Sequence, residues 1–272
     1  MSAPEQRPSL PLHPGPPSSP FPLLAFDVRG ALAHFRRPDT LVTQATYPFI
    51  PRTTLRGMLA AVLGLDELPE SQQGTEWLGL RLLSPIRTVT QELSLLGKGW
   101  IGTDKSFHRP TAVEFLVNPH YRVYYAGPYL EALQQNLRRG QSVYPTYLGV
   151  AYCLTVPTYV ATLQAEPLPA SPLPTSISTY TVVPAPAIAQ LRPRPGASYA
   201  RAGGIPYRHL GERHFAGTLT LIYETNGGAL EFAPVATSSQ TDAKAAGADD
   251  PPYLLCRLQA HGETKDEVIS LW

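Results

Sequence analysis

The sequence is poor in charge and in cysteine. Only 16% of its 272 residues are Asp, Glu, Lys or Arg, and the formal net charge is +1. This balance excludes a general electrostatic attraction to nucleic acid or to acidic partners, so a nucleic-acid role requires local basic patches. The two cysteines, Cys153 and Cys256, are far apart and match neither a metal-ligand spacing nor a disulfide framework. We therefore expect a protein of the reducing cytoplasm with no metal or other cofactor.

Long apolar runs and familiar catalytic motifs are also missing. The sequence has no run of about 18 apolar residues, and its N-terminus lacks the basic start and apolar core of a signal peptide. We expect a soluble chain that does not contact a membrane. There is no G-x-S-x-G, P-loop or H-E-x-x-H motif, which excludes the enzyme classes that these motifs define.

Proline, by contrast, is abundant and clustered. The chain has 30 prolines, about twice the usual share of roughly 5%. Seven of them lie in residues 1–20, which we predict to be a disordered tail. Others interrupt residues 166–196, where we expect extended edges and loops. The low-complexity stretch at about 234–251 is predicted to be disordered as well.

The order of the predicted elements indicates an α+β fold. Residues 22–156 show the pattern of a strand, a helix, a strand, a hairpin-like excursion, a strand, a helix and a strand. This is close to the β-α-β-β-α-β order of a ferredoxin-like fold, which hosts many functions and does not name one. We assign residues 21–165 to this domain and residues 166–272 to a smaller, proline-rich β region. Residues 82–89 and 148–156 are predicted to be strands.

The stretch TYPFIPRTTLRGMLAAVLG, residues 46–64, predicts an extended approach followed by an amphipathic helix. Apolar residues recur at i, i+3, i+4, i+7 and i+8 from Leu55, which makes one continuous stripe. Thr53 or Thr54 is the predicted N-terminal cap, and Gly64 is placed to close the helix. The stripe predicts that this helix docks on a sheet.

Arg52 and Arg56 lie at the start of this helix, off the stripe, and are predicted to face away from the core. Basic side chains oppose the helix dipole at this end, at a cost of about a few tenths of a kcal/mol each. In one interpretation they are solvated or paired with acids such as Asp27 or Asp39. In the other, they and the free backbone N–H groups form an anion site for phosphates. The periodicity does not separate the two interpretations.

Residues 90–110 are glycine-rich and carry interleaved basic and aromatic side chains. A long glycine-rich loop inside a compact domain is usually functional or disordered. One interpretation is therefore a functional segment, and the other is a flexible, solvated loop. The basic and aromatic side chains of this stretch are Lys98, Trp100, Lys105, His108 and Arg109.

Three segments together resemble a known family. They are FDVRGALAHFRRP at 26–38, TYPFIPRTTLRGMLAAVLG at 46–64 and PTYLGVAYCLT at 145–155. Their order and spacing resemble the Cas-five family of CRISPR-associated proteins, within the RAMP superfamily. The resemblance covers about half of the chain, and the proline-rich C-terminal half resembles the type I-B branch in character.

This resemblance implies a non-catalytic subunit of the Cascade surveillance complex that binds and caps the 5′ handle of the CRISPR RNA (crRNA). The implied partners are crRNA, the backbone subunit and the large subunit, with target DNA reached through the complex. The sequence leaves open whether the complex serves antiviral defence or guides a transposon, with transposition proteins as partners in the second case. The implied fold is a modified RRM-like domain with a protruding β-hairpin thumb at about residues 88–110.

The resemblance also assigns candidate RNA-binding residues. The arginines that would engage phosphates and handle bases are Arg29, Arg36, Arg37, Arg52 and Arg56. Tyr47 would stack or hydrogen-bond, and the thumb would act through Lys98, Trp100, Lys105 and Arg109. His34 and His108 are candidate RNA contacts or plain surface histidines.

Two alternatives to this function remain open. One branch of the family resembles a metal-independent endoribonuclease that cuts CRISPR repeat RNA with a tyrosine beside a Lys-His pair. Tyr47 is suitably placed, but the sequence has no Lys-His dipeptide, so we expect no catalytic residue. The second alternative is a protein scaffold that touches little RNA. Residues 201–217, which are rich in glycine and arginine, are either a RAMP-type glycine-rich loop or an exposed loop of the β region.

Overall fold

The computed structural model describes residues 17, 19–40, 43–69, 75–96, 108–169, 172–211, 214–235, 252–259 and 267–272. Three predicted segments fall largely outside this part of the chain: the tail at 1–20, the low-complexity stretch at 234–251 and the tip of the thumb. The side chains of Leu96, His108 and Arg109 also lie outside the description.

The first part of the described chain alternates strands with two helices. The helices are α1 (Arg52–Leu63) and α2 (Leu130–Arg138). The strands are β1 (Phe21–Arg29), β2 (Leu32–Ala33), β3 (Trp77–Leu82), β4 (Thr88–Leu96), β5 (His108–Val117), β6 (His120–Ala126), β7 (Thr146–Tyr147), β8 (Leu154–Thr155) and β9 (Thr158–Pro167). The elements β1, α1, β3, β6, α2 and β9 follow the predicted order, and β4 and β5 form the predicted excursion between β3 and β6.

The second part is built from strands and a 3-10 turn at Ala185–Ala187. The strands are β10 (Ile177–Thr179), β11 (Val183–Pro184), β12 (Ile188–Leu191), β13 (Tyr199–His209), β14 (Phe215–Glu224), β15 (Leu230–Pro234), β16 (Leu254–Leu258) and β17 (Glu267–Leu271). The short strands β10 to β12 lie in the proline-interrupted segment, as expected for residues that cannot donate to a ladder.

A six-stranded antiparallel sheet forms the centre of the molecule, in the order β17-β16-β9-β1-β6-β3. Both helices pack on one face, where Leu24, Phe26 and Val28 of β1 join the main buried cluster. Leu23 and Ala25 belong to a second cluster on the opposite face, as the alternation of side chains along a strand requires.

The predicted boundary between residues 165 and 166 does not separate two sheets. β9 runs across that boundary, and β16 pairs with it through Cys256, Arg257 and Leu258. The C-terminal strands therefore extend the sheet of the first part. This pairing joins segments that are distant in sequence, so no local pattern predicts it.

Two predicted strands are wrong. Residues 82–89 are divided between the end of β3 and the start of β4, with Pro85 in the break between them. Residues 148–156 are mostly turns, and only β8 pairs there, with β7. Gly149 has a φ of 88°, a left-handed conformation that interrupts a strand.

Helix α1 begins and ends with residues that carry no capping side chain. Its N-cap is Pro51, without a side-chain hydrogen bond, so the predicted threonine cap is wrong. Gly64 closes the helix as predicted, with a φ of 77° and its N–H directed to the carbonyls of Ala60 and Ala61. Neither helix of the described part of the chain is long and apolar enough to cross a membrane.

Candidate nucleic-acid interface

The two arginines of α1 lie inside the protein. Arg52 is fully buried, and only 6% of Arg56 is exposed. Arg56 pairs through Nη1 with Oε2 of Glu76 and donates from Nη2 to the Leu68 carbonyl at 3.0 Å. Arg52 donates to the Tyr207 carbonyl at 3.3 Å, and its guanidinium lies 4.5 Å from the centre of the Tyr207 ring. The prediction that both face away from the core is wrong, because β13 and the chain leading to β3 cover this end of the helix.

Burial is the largest influence on the charges of this cluster. It raises the pKa of the Glu76 carboxyl and lowers the pKa of the Arg56 guanidinium, while the attraction between the two groups opposes both shifts. Arginine stays protonated in proteins, so the cluster is a buried ion pair. Asp27 and Asp39, the acids that the sequence analysis proposed as partners of Arg52 and Arg56, pair with other arginines. Asp27 pairs with Arg122, and Asp39 pairs with Arg37.

Tyr47 and His34 are buried as well. Tyr47 is 5% exposed, and its hydroxyl donates to the Gly204 carbonyl at 2.7 Å. His34 is 2% exposed, and its Nδ1–H donates to the Glu114 carbonyl at 2.7 Å. Burial raises the pKa of Tyr47 and lowers the pKa of His34, because it disfavours both charged forms. Neither ring has a free face for stacking on a base, so the predicted stacking by Tyr47 and the surface position of His34 are wrong.

Arg29, Arg36 and Arg37 reach the surface, unlike the arginines of α1. Arg37 forms a bidentate pair with Asp39, with 3.1 Å between Nε and Oδ1 and 2.6 Å between Nη2 and Oδ2. This contact raises the pKa of Arg37 and lowers the pKa of Asp39. Side-chain exposure is 41% for Arg37 and 57% for Asp39. Exposed ion pairs contribute little to stability, so Arg37 is available to another anion.

Two paired strands, β4 and β5, lie in the region of the predicted thumb. β4 and β5 pair without a break from Thr88 opposite Leu116 to Leu96 opposite His108. His108 and Arg109 belong to β5, but their side chains lie outside the description, as do Lys98, Trp100 and Lys105. The structure therefore describes the paired strands before and after residues 97–107, and the RNA contacts of these five residues stay predictions.

A group of exposed tyrosines was not predicted as a binding surface. It lies on residues 143–156, which we call the tyrosine loop. Tyr144, Tyr147 and Tyr152 are 46%, 44% and 63% exposed, and Leu154 and Val156 are exposed beside them. In the sequence analysis the segment PTYLGVAYCLT contributed to the family resemblance and was not interpreted as a site.

The tyrosine loop packs directly on the segment that carries the exposed arginines. The N–H of His34 donates to the Leu148 carbonyl at 3.1 Å, and the hydroxyl of Thr155 donates to the Arg29 carbonyl at 2.7 Å. Gly149 makes this fit possible, because an added Cβ would lie 2.0 Å from the carbonyl oxygen of His34. Exposed aromatic rings and exposed arginines are thus carried by two adjoining segments, residues 29–37 and the tyrosine loop.

Most of residues 201–217 lie in two paired strands rather than in a free loop. Residues 201–209 belong to β13 and residues 215–217 to β14, and the register between the two strands shifts between Ala202 and Ile205. The bulge contains Gly203 and Gly204, both exposed, and Gly204 has a φ of 67°. The Gly204 carbonyl accepts the Tyr47 hydroxyl, so this glycine-rich segment covers Tyr47 instead of presenting it.

Groups of three or more His, Cys, Asp or Glu side chains arranged to hold a metal ion do not occur among the described residues. Cys153 and Cys256 are both free and buried. The exposed groups described on residues 29–37 and the tyrosine loop include guanidinium groups and phenol rings.

Comparison with known proteins identifies the family. The model of the family described as CRISPR-associated protein (Cas_Cas5) matches residues 23–181, which is more than half of the chain. The chain therefore belongs to this family, and the resemblance seen in the sequence is confirmed. No curated protein matches the chain significantly.

Among solved structures, the chain is similar to a protein of a CRISPR RNA-guided surveillance complex. The identity is 14%, the TM-score is 0.49, and the match covers 78% of this chain and 91% of the other. It is also similar to a CRISPR protein from Archaeoglobus fulgidus, with 12% identity, a TM-score of 0.48, and coverage of 92% of this chain and 98% of the other.

Proposed function

We propose that this CRISPR-associated protein is a non-catalytic, RNA-binding subunit of a type I Cascade effector complex, and that it binds and caps the 5′ handle of crRNA. The observation that carries the proposal is the juxtaposition of exposed arginines on residues 29–37 with exposed tyrosines on the tyrosine loop. We call these two segments together the handle surface. The arginines of α1 are buried against Tyr207 and Glu76 and would not touch the RNA.

The side chains of the handle surface suit an unpaired RNA strand. Guanidinium groups pair with phosphates bidentately and at any sequence. Exposed aromatic rings stack on unpaired bases, with about 1–3 kcal/mol per stacked base. Arg36 and Arg37 are consecutive and follow His34, which anchors the tyrosine loop through Leu148. A strand of RNA lying across both segments would meet cations and rings together.

The fold supplies a further argument for this role. We assign β1, α1, β3, β6, α2 and β9 to a ferredoxin-like, RRM-like domain, in which the β4–β5 hairpin is the thumb. The sheet order β9-β1-β6-β3 supports this assignment. The family to which the chain belongs supports crRNA and the backbone and large subunits of the complex as partners.

The phosphate role is tested on the exposed arginines. Replacing Arg36 and Arg37 together by Ala is expected to weaken binding of a handle RNA by about tenfold, because two charge-assisted contacts are lost. The slope of log affinity against log salt should become shallower by roughly 0.7 for each phosphate contact removed. Fluorescence anisotropy with a labelled handle RNA over a series of salt concentrations measures both quantities.

The matched control carries the same charge change elsewhere. Arg194 and Arg257 are exposed and lie in the second part of the chain, so their joint replacement by Ala should leave both the affinity and the slope unchanged. Equal effects of the two double variants would contradict a localised handle surface.

The surroundings of Tyr47 support a non-catalytic subunit. A general base is most effective when its pKa lies near the working pH, whereas burial moves the pKa of Tyr47 upward and its proton is donated to Gly204. His34, the histidine nearest to it in sequence, is buried with its Nδ1–H donated to a carbonyl. We expect repeat RNA to stay intact with the purified protein, with or without EDTA, and a site-specific cut would establish the endoribonuclease alternative instead.

A further inference from the structure

Strand β4 lies at the edge of its sheet. The order of the strands is β2-β5-β4, and β4 pairs with β5 over nine consecutive residues. Among the described residues, no strand or bridge pairs with the other side of β4. In the described part of the chain, the outer backbone edge of β4 is therefore unpaired over the length of the strand.

The hydrogen bonds around β5 show which residues of β4 face that edge. The Val117 N–H donates to the Arg87 carbonyl at 2.9 Å, so this opposed pair is hydrogen-bonded. The backbone of Ala112 and Glu114 bonds to Gln44 on the other side of β5, at 2.8 Å and 2.9 Å. Bonded and non-bonded pairs alternate along an antiparallel ladder.

The partners of these β5 residues on β4 therefore turn their own backbone groups outward. Glu114 lies opposite Thr90, and Ala112 lies opposite Glu92. By the same alternation, Thr88 and Ser94 also direct N–H and C=O to the free edge. Val89, Gln91 and Leu93 direct theirs to β5.

The edge lacks the usual protection against pairing. Proteins protect exposed edges with charged side chains, especially Lys, or with Pro, bulges or very short strands. β4 has the sequence TVTQELSLL, in which Glu92 is the one charged residue and Lys and Pro do not occur, and its register with β5 does not shift. By contrast, the chain covers the outer edge of β3 itself, because Leu78 exchanges backbone hydrogen bonds with Trp272, and the Val182 N–H donates to Leu80.

The two faces of β4 differ in polarity. Thr88, Thr90, Glu92 and Ser94 are exposed and polar. On the other face, Leu93 and Leu95 are partly buried against the main core, and Val89 is 38% exposed. A strand added beside β4 would continue this division, with apolar residues next to Val89 and Leu93 and polar residues next to Thr90 and Glu92.

We propose that the free edge of β4 receives an extended segment of another protein chain, which adds a strand to the β2-β5-β4 sheet. Its main chain would bond to the outward N–H and C=O groups of Thr88, Thr90, Glu92 and Ser94. The fitting segment alternates apolar and polar residues and places a basic side chain opposite Glu92. This inference goes beyond RNA binding and does not depend on the handle surface.

Hydrogen exchange tests the proposal, measured by residue-resolved mass spectrometry on the isolated chain and on the complex purified from its native cells. In the isolated chain the amides of Gln91 and Leu93 should be protected, and those of Thr90, Glu92 and Ser94 should exchange freely. In the complex the second set is expected to exchange at least about tenfold more slowly, because each amide gains a hydrogen bond. Exchange at these amides that is the same in both samples would overturn the proposal.

Two further readings identify the occupant. Protection that already appears in the isolated chain and rises with its concentration would show a second copy at the edge and overturn the assignment. Protection that disappears after ribonuclease digestion would show RNA there and overturn it as well. The RNA affinity of the isolated chain is a separate measurement, so a failure of the proposed handle binding does not affect this result.

A variant pair confirms the role of the outward amides. Thr90→Pro removes an outward N–H and leaves the bonds to β5 intact, since proline is tolerated at edge positions. It is expected to reduce incorporation into the complex about tenfold, whereas Thr90→Val, which keeps the N–H, should incorporate normally. Protected amides at Gln91 and Leu93 verify that the hairpin of the proline variant is folded, and normal incorporation of that variant would contradict strand addition.

Discussion

Replacing Glu76 by Gln is expected to lower the free energy of unfolding by about 3–5 kcal/mol, as removal of one partner from a buried ion pair does. The carboxylate pairs with the buried guanidinium of Arg56, and the charge of Arg52 also favours its ionised form. The uncharged amide would leave the positive charges of Arg52 and Arg56 without the negative charge that balances them. Water cannot compensate for this loss, because 0% of the Glu76 side chain is exposed. Equilibrium unfolding in urea measures the change.

The matched variant is Arg56→Met, which removes one positive charge and leaves Glu76 beside Arg52. We expect Arg56→Met to lower the free energy of unfolding by less than Glu76→Gln does, because the remaining cluster holds one charge of each sign. A smaller effect of Glu76→Gln than of Arg56→Met would contradict this description of the cluster. The folded fraction of Arg56→Met should keep the salt dependence of RNA binding, because Arg56 does not reach the handle surface.

Replacing Gly149 by Ala is expected to lower the free energy of unfolding by about 3 kcal/mol, because the alanine would have a strained backbone conformation and a steric clash with His34. The residue has a φ of 88°, and the new Cβ would lie 2.0 Å from the His34 carbonyl oxygen. Relief of this collision requires the tyrosine loop to move off residues 29–37. Handle-RNA affinity should therefore fall together with the free energy of unfolding, which urea unfolding and anisotropy measure on the same sample.

Gly140 provides the control for this prediction. It has a φ of 62°, and an added Cβ would meet nothing within 4 Å. Gly140→Ala should lower the free energy of unfolding by about 1–2 kcal/mol, from backbone strain alone, and should leave RNA affinity unchanged. Equal losses from the two substitutions would show that close packing of Gly149 on His34 is unimportant.

The sequence predicted those elements whose signals are local. The apolar stripe from Leu55 and the closing Gly64 identified α1, because a helix that packs on a sheet repeats its apolar residues with the helical period. The same period led to the wrong prediction that Arg52 and Arg56 face away from the core. It indicates one covered face, whereas the start of α1 is also covered by Tyr207 of β13, which lies 155 residues from Arg52 in sequence.

For a similar reason, the sequence predicted the exposed arginines of the handle surface but not its tyrosine loop. Arg29 ends β1, where alternation along the strand places it opposite the face of Leu24, Phe26 and Val28. Arg36 and Arg37 follow β2 and reach the surface. The tyrosine loop contains the β-formers Val150, Tyr152 and Val156, so its composition favours a strand. The positive φ of Gly149 overrides that preference, and the contact with His34 that requires it is not visible in the sequence.

Photo-crosslinking of the assembled complex tests the central claim most directly. Ultraviolet irradiation of the complex with its bound crRNA, followed by mass spectrometry, locates each amino acid that touches a base. The account predicts crosslinks from handle nucleotides to Tyr147 or Tyr152 and to residues 29–37, and none to the start of α1. Handle crosslinks that fall at Arg52 or Arg56, or only on surfaces remote from the tyrosine loop, would contradict it.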